Sequence, residues 1–395
     1  MAPTAEGFAD LTRDTSAVSA VSTVTDLGAD QRKTPGWFAR MRRSLAWNRT
    51  SEWERRAAET DLLAATGVPL TIKDVKVGPG KEDYMHTIVG GDSAAPPAVV
   101  VHGYAAGAGF YFKSIRDLVS HFRVHLVDWP GYGVSGRPAW RTKGRENVER
   151  YFVDGLETWR KDAGLEQFVL VAHSLGGYLG VRYAMQHPER VSHLVLVGPA
   201  GMNAAPEDWS VDKVKERLKA KPWSMRSILI DASVKLWDWG VTPGHIIRTL
   251  GPLGRRMVEG YVSRRFSQYG TGLTPEDVEV FKHYVYHILA APGSGEHALR
   301  HLLAPFAWAR SPIGPELAKL RMPVTFIYGE GDWMDPASGK KHCEAAREKR
   351  PPLNDADLKV ELVKHAGHFP FIENSDGFRA ALLRSLRVDF AEGDS

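Results

Sequence analysis

Apolar positions in this chain fall into two regimes. In the first, short runs are apolar with few interruptions: Ala98–Val101, Val124–Val127, Phe168–Val171, Val191–Val197 and Val324–Tyr328. Runs of this kind, bounded by turn residues, read as strands buried on both faces, as in a parallel sheet. Pro69–Val77 and Tyr84–Val89 are also strand-like and open the core at about residue 66, while Leu358–Val363 alternates at period two. In the second regime, the stretch between Val197 and Val324 reads as helices, at Val211–Lys219, Trp223–Trp239, Gly244–Leu250 and Pro275–Leu289. A last helix is expected over Asp376–Val388. The pattern predicts an α/β protein with a mostly parallel central sheet flanked by helices, built from residues 66–201 and 315–390. Residues 202–314 form a helical insertion, most economically a cap over one end of the sheet. No internal repeat is evident.

The N-terminal region departs from both regimes. Residues 1–33 are rich in Ala, Ser, Thr and Asp with few large apolar side chains, and disorder is expected there. Residues 34–65 are Trp- and Arg-rich: Trp37, Phe38, Met41 and Leu45 share one helical face, with Trp47 and Trp53 nearby and Arg40, Arg42, Arg43 and Arg49 flanking. Such a segment fits a helix lying in a membrane interface, with Trp37, Phe38, Trp47 and Trp53 as anchors; it fits equally a helix docking its tryptophans on the domain.

Charge and cysteine usage narrow the function classes. The chain has 395 residues and a net charge of +4, too mild and too dispersed for a nucleic-acid binder. No apolar run approaches the roughly 20 residues of a membrane-spanning helix. A basic-then-apolar signal pattern is lacking, and Glu6, Asp10, Asp14 and Asp26 are acidic where mitochondrial presequences are not. A single cysteine, Cys343, excludes an internal disulfide, fits a reducing compartment and leaves no zinc-ligand spacing. His283, His287, His297 and His301 form two helically spaced pairs without a neighbouring acidic cluster in sequence, and read as structural or cap-lining residues; neither metal nor cofactor is expected.

The chemistry concentrates at strand ends. Ala172-His173-Ser174-Leu175-Gly176 follows the run Phe168–Val171 and precedes a helix-like stretch, the arrangement of a nucleophile elbow, in which a sharp turn lifts a serine hydroxyl above the sheet. Small residues flank the serine because the turn brings backbone segments close; Ala172 stands where the usual pattern has Gly. Downstream, Val324–Tyr328 ends in Gly329-Glu330-Gly331-Asp332, and Leu358–Val363 runs through His365-Ala366-Gly367 to His368. Serine, acid and histidine thus follow the chain order of an α/β-hydrolase, each just beyond a strand's C-terminal end. In that scheme Ser174 attacks an ester carbonyl, His368 moves the proton, and Asp332 orients the imidazole. Asp335 competes for the acid role from further into its loop, and His365 competes with His368. His173, beside the nucleophile, should point away from the triad and serve packing and hydrogen bonding.

An oxyanion hole requires two backbone N–H groups, for which Leu175 and Tyr104 are the candidates. Tyr104 follows Ala98–Val101 and His102-Gly103 in the loop after an early strand. Asp128-Trp129-Pro130-Gly131-Tyr132-Gly133-Val134-Ser135-Gly136, after the strand Val124–Val127, supplies a tight loop beneath the site.

His102-Gly103-Tyr104 with Gly109–Phe112, Ala172–Gly177, Tyr284-Val285-Tyr286-His287, Phe306-Ala307 with Arg310 and Pro312, and Phe326–Trp333 give the α/β-hydrolase reading a narrower resemblance. Over roughly residues 66–388 the chain resembles the α/β-hydrolase subfamily that contains the lipase co-activator of animal lipid droplets and a lyso-N-acyl-phosphatidylethanolamine lipase. Plant and fungal relatives there act as phospholipases, cardiolipin deacylases or lysophosphatidic-acid acyltransferases. The resemblance implies a lipid substrate, cytoplasmic placement on membranes or lipid droplets, a tryptophan-rich anchor and, for the co-activator's role, a lipase partner. It also implies acyl-CoA as co-substrate wherever acyl transfer is the reaction. The co-activator has Asn at the elbow; here Ser174 is intact. The His-x4-Asp motif linked to acyl transfer reads His368-x4-Glu373 in this chain. Three expectations follow: a serine-dependent esterase of glycerophospholipids or lysophospholipids, an acyl-CoA-dependent lysophosphatidic-acid acyltransferase, and a lipid-droplet scaffold for another lipase.

Overall fold

The computed structural model describes residues 22–23, 47, 50–217, 224–266, 273–349 and 358–386. The strands, in chain order, are β1 Ser22–Thr23, β2 Thr71–Lys76, β3 Tyr84–Gly90, β4 Pro97–Val101, β5 Arg123–Val127, β6 Phe168–His173, β7 Val191–Val197, β8 Val324–Gly329 and β9 Leu358–Val363. They form one sheet in the order β1-β2-β3-β5-β4-β6-β7-β8-β9. Pairings from β5 through β9 are parallel, and β1, β2 and β3 add an antiparallel edge. The run read as one apolar block at 324–328 is buried along its whole length in β8.

Side chains of the parallel strands alternate between two cores. Val100, Val124, Leu126, Val171, Val195 and Val197 face one layer, with α1 (Glu52–Ala64) and α10 (Ser375–Leu386). Val99, Val101, Val127, Leu170, Ala172 and Leu196 face the other, with α2 (Arg145–Asp162) and α3 (Leu175–Gln186). Further helices are α4 Met225–Asp238, α5 Pro243–Leu250, α6 Pro252–Phe266, α7 Pro275–Ala290, α8 Leu299–Leu302 and α9 Pro336–Arg347, with shorter ones at Ile115–Val119, Val211–Arg217 and Pro370–Glu373.

Between β7 and β8 the insertion is helical, as its periodicity predicts, but α6 stands where no helix was read. Its buried residues are Gly254, Val258, Val262 and Phe266, while Leu253, Met257 and Tyr261 face out. The two apolar stripes lie about 100° apart on the helix, and Arg255, Arg256, Arg264 and Arg265 are spread around it, so the one-sided signal by which an amphipathic helix is recognised is weak. The cap aromatics Phe281, Tyr284 and Tyr286 are core, buried with α1 residues such as Leu62, whereas Trp239 is exposed. Trp223 lies outside the described residues, as do Trp37, Phe38 and most of the 1–33 tail.

Charged contacts fasten the cap to the domain. Lys113 pairs with Asp277 at 3.1 Å, and the nearly buried Arg137 donates to the carbonyls of Gly133, Ile288 and Pro292. The indole Nε1 of Trp47 donates to Thr249 O on α5 at 2.9 Å, although the side chain remains mostly exposed. Trp53 lies on α1, partly exposed. No helix among the described residues is long and apolar enough to cross a membrane.

Candidate active site

Strand order reverses at β4, whose neighbours are β5 and β6, and clefts of open α/β sheets form at such a switch point. Ser174 terminates β6 there with φ 53° and ψ −117°, a backbone conformation few non-glycine residues adopt. The turn is over-determined by its surroundings: the Ser174 N–H donates to Val197 O, and its carbonyl accepts from Gly177 and Ala200 N–H. Small neighbours are a steric necessity here. A Cβ on Gly103 would fall 2.7 Å from Ser174 Cβ, and one on Gly176 would fall 2.5 Å from His102 O. Ala172, in place of glycine, is fully buried and tolerated because Gly180 faces it, where a Cβ would come within 3.0 Å.

The three residues read as a triad come together from β6, β8 and β9. His368 Nε2 lies 3.0 Å from Ser174 Oγ, and His368 Nδ1 lies 2.8 Å from Asp332 Oδ1. The Asp332 side chain is fully shielded from solvent; its Oδ1 also accepts the Met334 N–H at 2.9 Å. Asp335, the competing acid, instead caps α9 by accepting the Ala337 N–H at 3.0 Å. The competing His365 is exposed, in a left-handed turn at φ 52°.

Backbone N–H groups of Leu175 and Tyr104 have no backbone acceptor among the described residues. Leu175 opens α3, so helix-end polarity adds to its N–H, and Tyr104 follows the close approach of Gly103 to Ser174. These two N–H groups remain the candidates for an oxyanion site.

Supporting residues were less visible in the sequence. His173 does not point clear of the triad: its Nε2 donates to the His368 carbonyl at 2.8 Å, and its ring sits 4.7 Å from that of His368. Burial, then the neighbouring His368, pushes the His173 pKa well down, so it is a neutral donor. Glu373 is buried, and its Oε2 accepts the N–H groups of Gly367 and Phe369 at 2.6 and 3.1 Å, on either side of His368. Its other oxygen meets Arg265 of α6. Gly198, at φ 47°, leaves room that a Cβ would take 2.5 Å from Asp332 Oδ2. Asp128 is fully buried and bridges the two loops beneath the site, accepting the N–H groups of Ala108 and Val134, each at 2.6 Å. Burial, reinforced by Glu59, raises its pKa to about 7. Trp333, exposed, stands with its ring 5.0 Å from His368 at the mouth of the site.

Folding also brings His245 of α5 beside the sequence neighbours Glu296 and His297. His245, Glu296 and His297 gather ligand atoms within 4.8 Å of one another. The Glu296 carboxylate is already engaged by Arg248 Nη2 and Thr242 Oγ1, both at 2.6 Å, a setting in which a resident guanidinium takes the place of a cation. His287 is held to Thr50 Oγ1 at 3.1 Å, a structural contact.

The family model for the alpha/beta hydrolase fold matches residues 96–236. A probable 1-acylglycerol-3-phosphate O-acyltransferase of Oryza sativa subsp. japonica is 36% identical over 89% of this chain and 85% of its own length. A (lyso)-N-acylphosphatidylethanolamine lipase of Bos taurus is 32% identical over 68% of this chain and 73% of its own. Among solved structures, carboxylesterase CesB from Bacillus subtilis superposes with a TM-score of 0.58 at 19% identity, over 86% of this chain and 99% of that one. By the order of its strands, the elbow at Ser174 and these relatives, the chain belongs to the α/β-hydrolase family, in the group that holds the plant 1-acylglycerol-3-phosphate O-acyltransferases and the (lyso)-N-acylphosphatidylethanolamine lipases.

Proposed function

We propose that this protein is a serine-dependent acyl-ester hydrolase of glycerophospholipids or lysophospholipids. The observation that carries the reading is the unbroken hydrogen-bonded line Ser174 Oγ–His368 Nε2–Asp332, at 3.0 and 2.8 Å, on a strained elbow. His368 Nε2 accepts the Ser174 proton as Oγ adds to the ester carbonyl. Leu175 and Tyr104 N–H donate to the resulting oxyanion, and Asp332 holds Nδ1–H of the imidazolium. His368 then protonates the departing glycerol oxygen, leaving an acyl-Ser174 ester that water, deprotonated by the same histidine, hydrolyses to free fatty acid. The lipid class is supported by the relatives' printed activities, both on acylated glycerophospholipids.

A surface suited to such substrates lies on the cap: Leu253, Met257 and Tyr261, one turn apart on α6, are exposed beside Trp47, whose ring abuts Gly251. Peripheral attachment to a membrane or lipid droplet through this face and the segment containing Trp37 and Phe38 belongs to the same proposal.

Acyl transfer is the second reading, favoured by the name of the rice relative. The acyl-enzyme is the same; a lysophospholipid hydroxyl replaces water, with an acyl-CoA as donor. Incubation of purified protein with labelled lysophospholipid, with and without acyl-CoA, tests both. Fatty-acid release lost in Ser174→Ala supports the hydrolase; release retained in that variant overturns it. Diacyl product that appears only with acyl-CoA assigns the transferase.

A further inference from the structure

We infer that the pocket between α4 and α8 is a binding site for a phosphoryl group carried by the substrate. The pocket, about 400 Å³ in volume, is lined by Arg145, Arg300, Arg310, His301, Trp237 and Asp238. It is assembled deliberately by the backbone. A bridge between Leu303 and Ala309, with Arg310 N–H donating to Leu302 O at 3.0 Å, folds the chain back so that Arg310 returns beside Arg300. Arg310 Nε then donates to Arg300 O at 2.9 Å, leaving its terminal nitrogens for other acceptors. From the facing side, Arg300 packs on the C-terminal turn of α4, where Gly240 at φ 73° makes room; a Cβ there would lie 2.4 Å from Nη1.

Charge bookkeeping decides what such a pocket takes. Arg145 is offset by Glu146 and Glu149, at 3.0 Å each. Arg300 and Arg310 meet no carboxylate within ion-pair distance among the described residues, while Asp238 is the one acid in the lining. The indole Nε1 of Trp237 is buried without an acceptor among the described residues. The pocket therefore offers two guanidinium groups. Guanidinium cannot shed its proton and matches phosphate oxygens two at a time, so a phosphate monoester satisfies this set where an acyl chain or a neutral sugar does not. His301 registers the same positive field: burial, then Arg300, Arg310 and Lys143, lower its pKa.

The pocket shares two lining residues with a cavity beside Tyr104. Trp237 and Arg300 also line a narrow neighbouring cavity of about 30 Å³ that reaches Tyr104, whose N–H is the proposed oxyanion donor. A phosphoryl group seated on Arg300 and Arg310 would thus anchor a molecule whose acyl ester extends toward Ser174. The inference rests on the acyl-ester reading above. One chemistry has two sources here: the phosphate of a lysophospholipid head, or the phosphates of an acyl-CoA donor.

Calorimetric titration of the full chain with glycerol 3-phosphate and with adenosine 3′,5′-bisphosphate separates them and needs no catalysis. At least one probe is expected to bind, with affinity falling about tenfold or more in Arg300→Gln/Arg310→Gln and recovering in Arg300→Lys/Arg310→Lys. Binding of the first probe assigns the lipid head, of the second the thioester donor. Turnover adds an independent arm: the preference for lysophosphatidic acid over a monoacylglycerol of the same chain should shrink in the Gln variant through KM, with kcat on the monoacylglycerol unchanged. Binding of neither probe, or equal binding by the Gln variant, overturns the site. Loss of turnover on both lipids by the wild type, with binding intact, sinks the hydrolase reading and leaves the phosphoryl site standing.

Discussion

Arg265, on cap helix α6, pairs with Glu373, whose other carboxylate oxygen takes the N–H groups on both sides of His368. One buried acid therefore ties the cap to the loop that presents the imidazole to Ser174. Its capacity is spent on these partners, so the position that corresponds to a carboxylate motif for acyl transfer acts here as a positioning residue. Glu373→Gln keeps an acceptor for the loop but removes the negative charge that Arg265 meets in the buried site. Hydrolysis and any acyl transfer should fall together, by about ten- to a hundredfold in kcat with KM little changed, since misplacement of a reacting group has that scale. A loss confined to transfer would show instead that Glu373 handles the acceptor. Denaturant unfolding should report about 3 kcal/mol lost, recovered in part by Arg265→Met in the same chain.

The two acids after β8 have separable jobs. Asp332→Asn should lower kcat/KM by about a thousand- to ten-thousand-fold, because the amide no longer fixes the imidazole tautomer. Asp335→Asn retains a good helix-capping side chain at α9 and should change activity less than about twofold, with a stability cost under about 1 kcal/mol. Equal losses in the two variants would place the catalytic acid wrongly.

How far these roles were legible depends on how local their signals are. Ser174, Asp332 and His368 announce themselves because each sits where an apolar run breaks into a small-residue turn, and the chain order is fixed by strand topology. The register of β6, β8 and β9 then carries them to one point. Glu373 and Gly198 give no such signal; their meaning lies in contacts with His368 and Asp332 that exist only once the sheet has formed. Glu296 illustrates the same limit. In sequence it neighbours His297, but its partners Thr242 and Arg248 are separated from it by 54 and 48 positions. Helix α6 gives a weak signal for a different reason: its apolar residues form two stripes about 100° apart, one buried and one exposed.

His86 links α1 to the antiparallel edge and should make stability fall on the alkaline side. Its Nε2 is 2.6 Å from Glu59 and its Nδ1 2.7 Å from Asp74. Burial acts to lower its pKa, but Glu59 and Asp74 outweigh that and hold it at about 10, against an ordinary 6.5. A folded pKa above the unfolded one means that the contribution is fully present below pH 6.5 and is lost as pH rises toward 10. His86→Gln lacks this charge. The stability gap between wild type and variant, from urea unfolding, should be largest below pH 6.5 and shrink by on the order of a few kcal/mol toward pH 10. A gap that widened with pH would refute the charged pairing.

The exposed stripe of α6 sets the last expectation. Val258, Val262 and Phe266 fill the core from one stripe of that helix, so nothing in the fold requires Leu253, Met257 and Tyr261, on the neighbouring exposed stripe, to be apolar. Large exposed side chains at successive turns are an aggregation hazard unless a surface covers them, and the Trp47 ring continues the same patch past Gly251. Burying a Leu- or Met-sized side chain in an acyl boundary contributes about 1.5 kcal/mol or more, so replacing Leu253 and Met257 by Ser should weaken partitioning to neutral phosphatidylcholine vesicles by about a hundredfold. Cosedimentation measures this directly. Turnover of a monomeric short-chain ester should be unchanged in the same variant, because no contact given among the described residues joins either side chain to Ser174. If vesicle binding persisted while ester turnover fell, the stripe would be serving the active site rather than an interface.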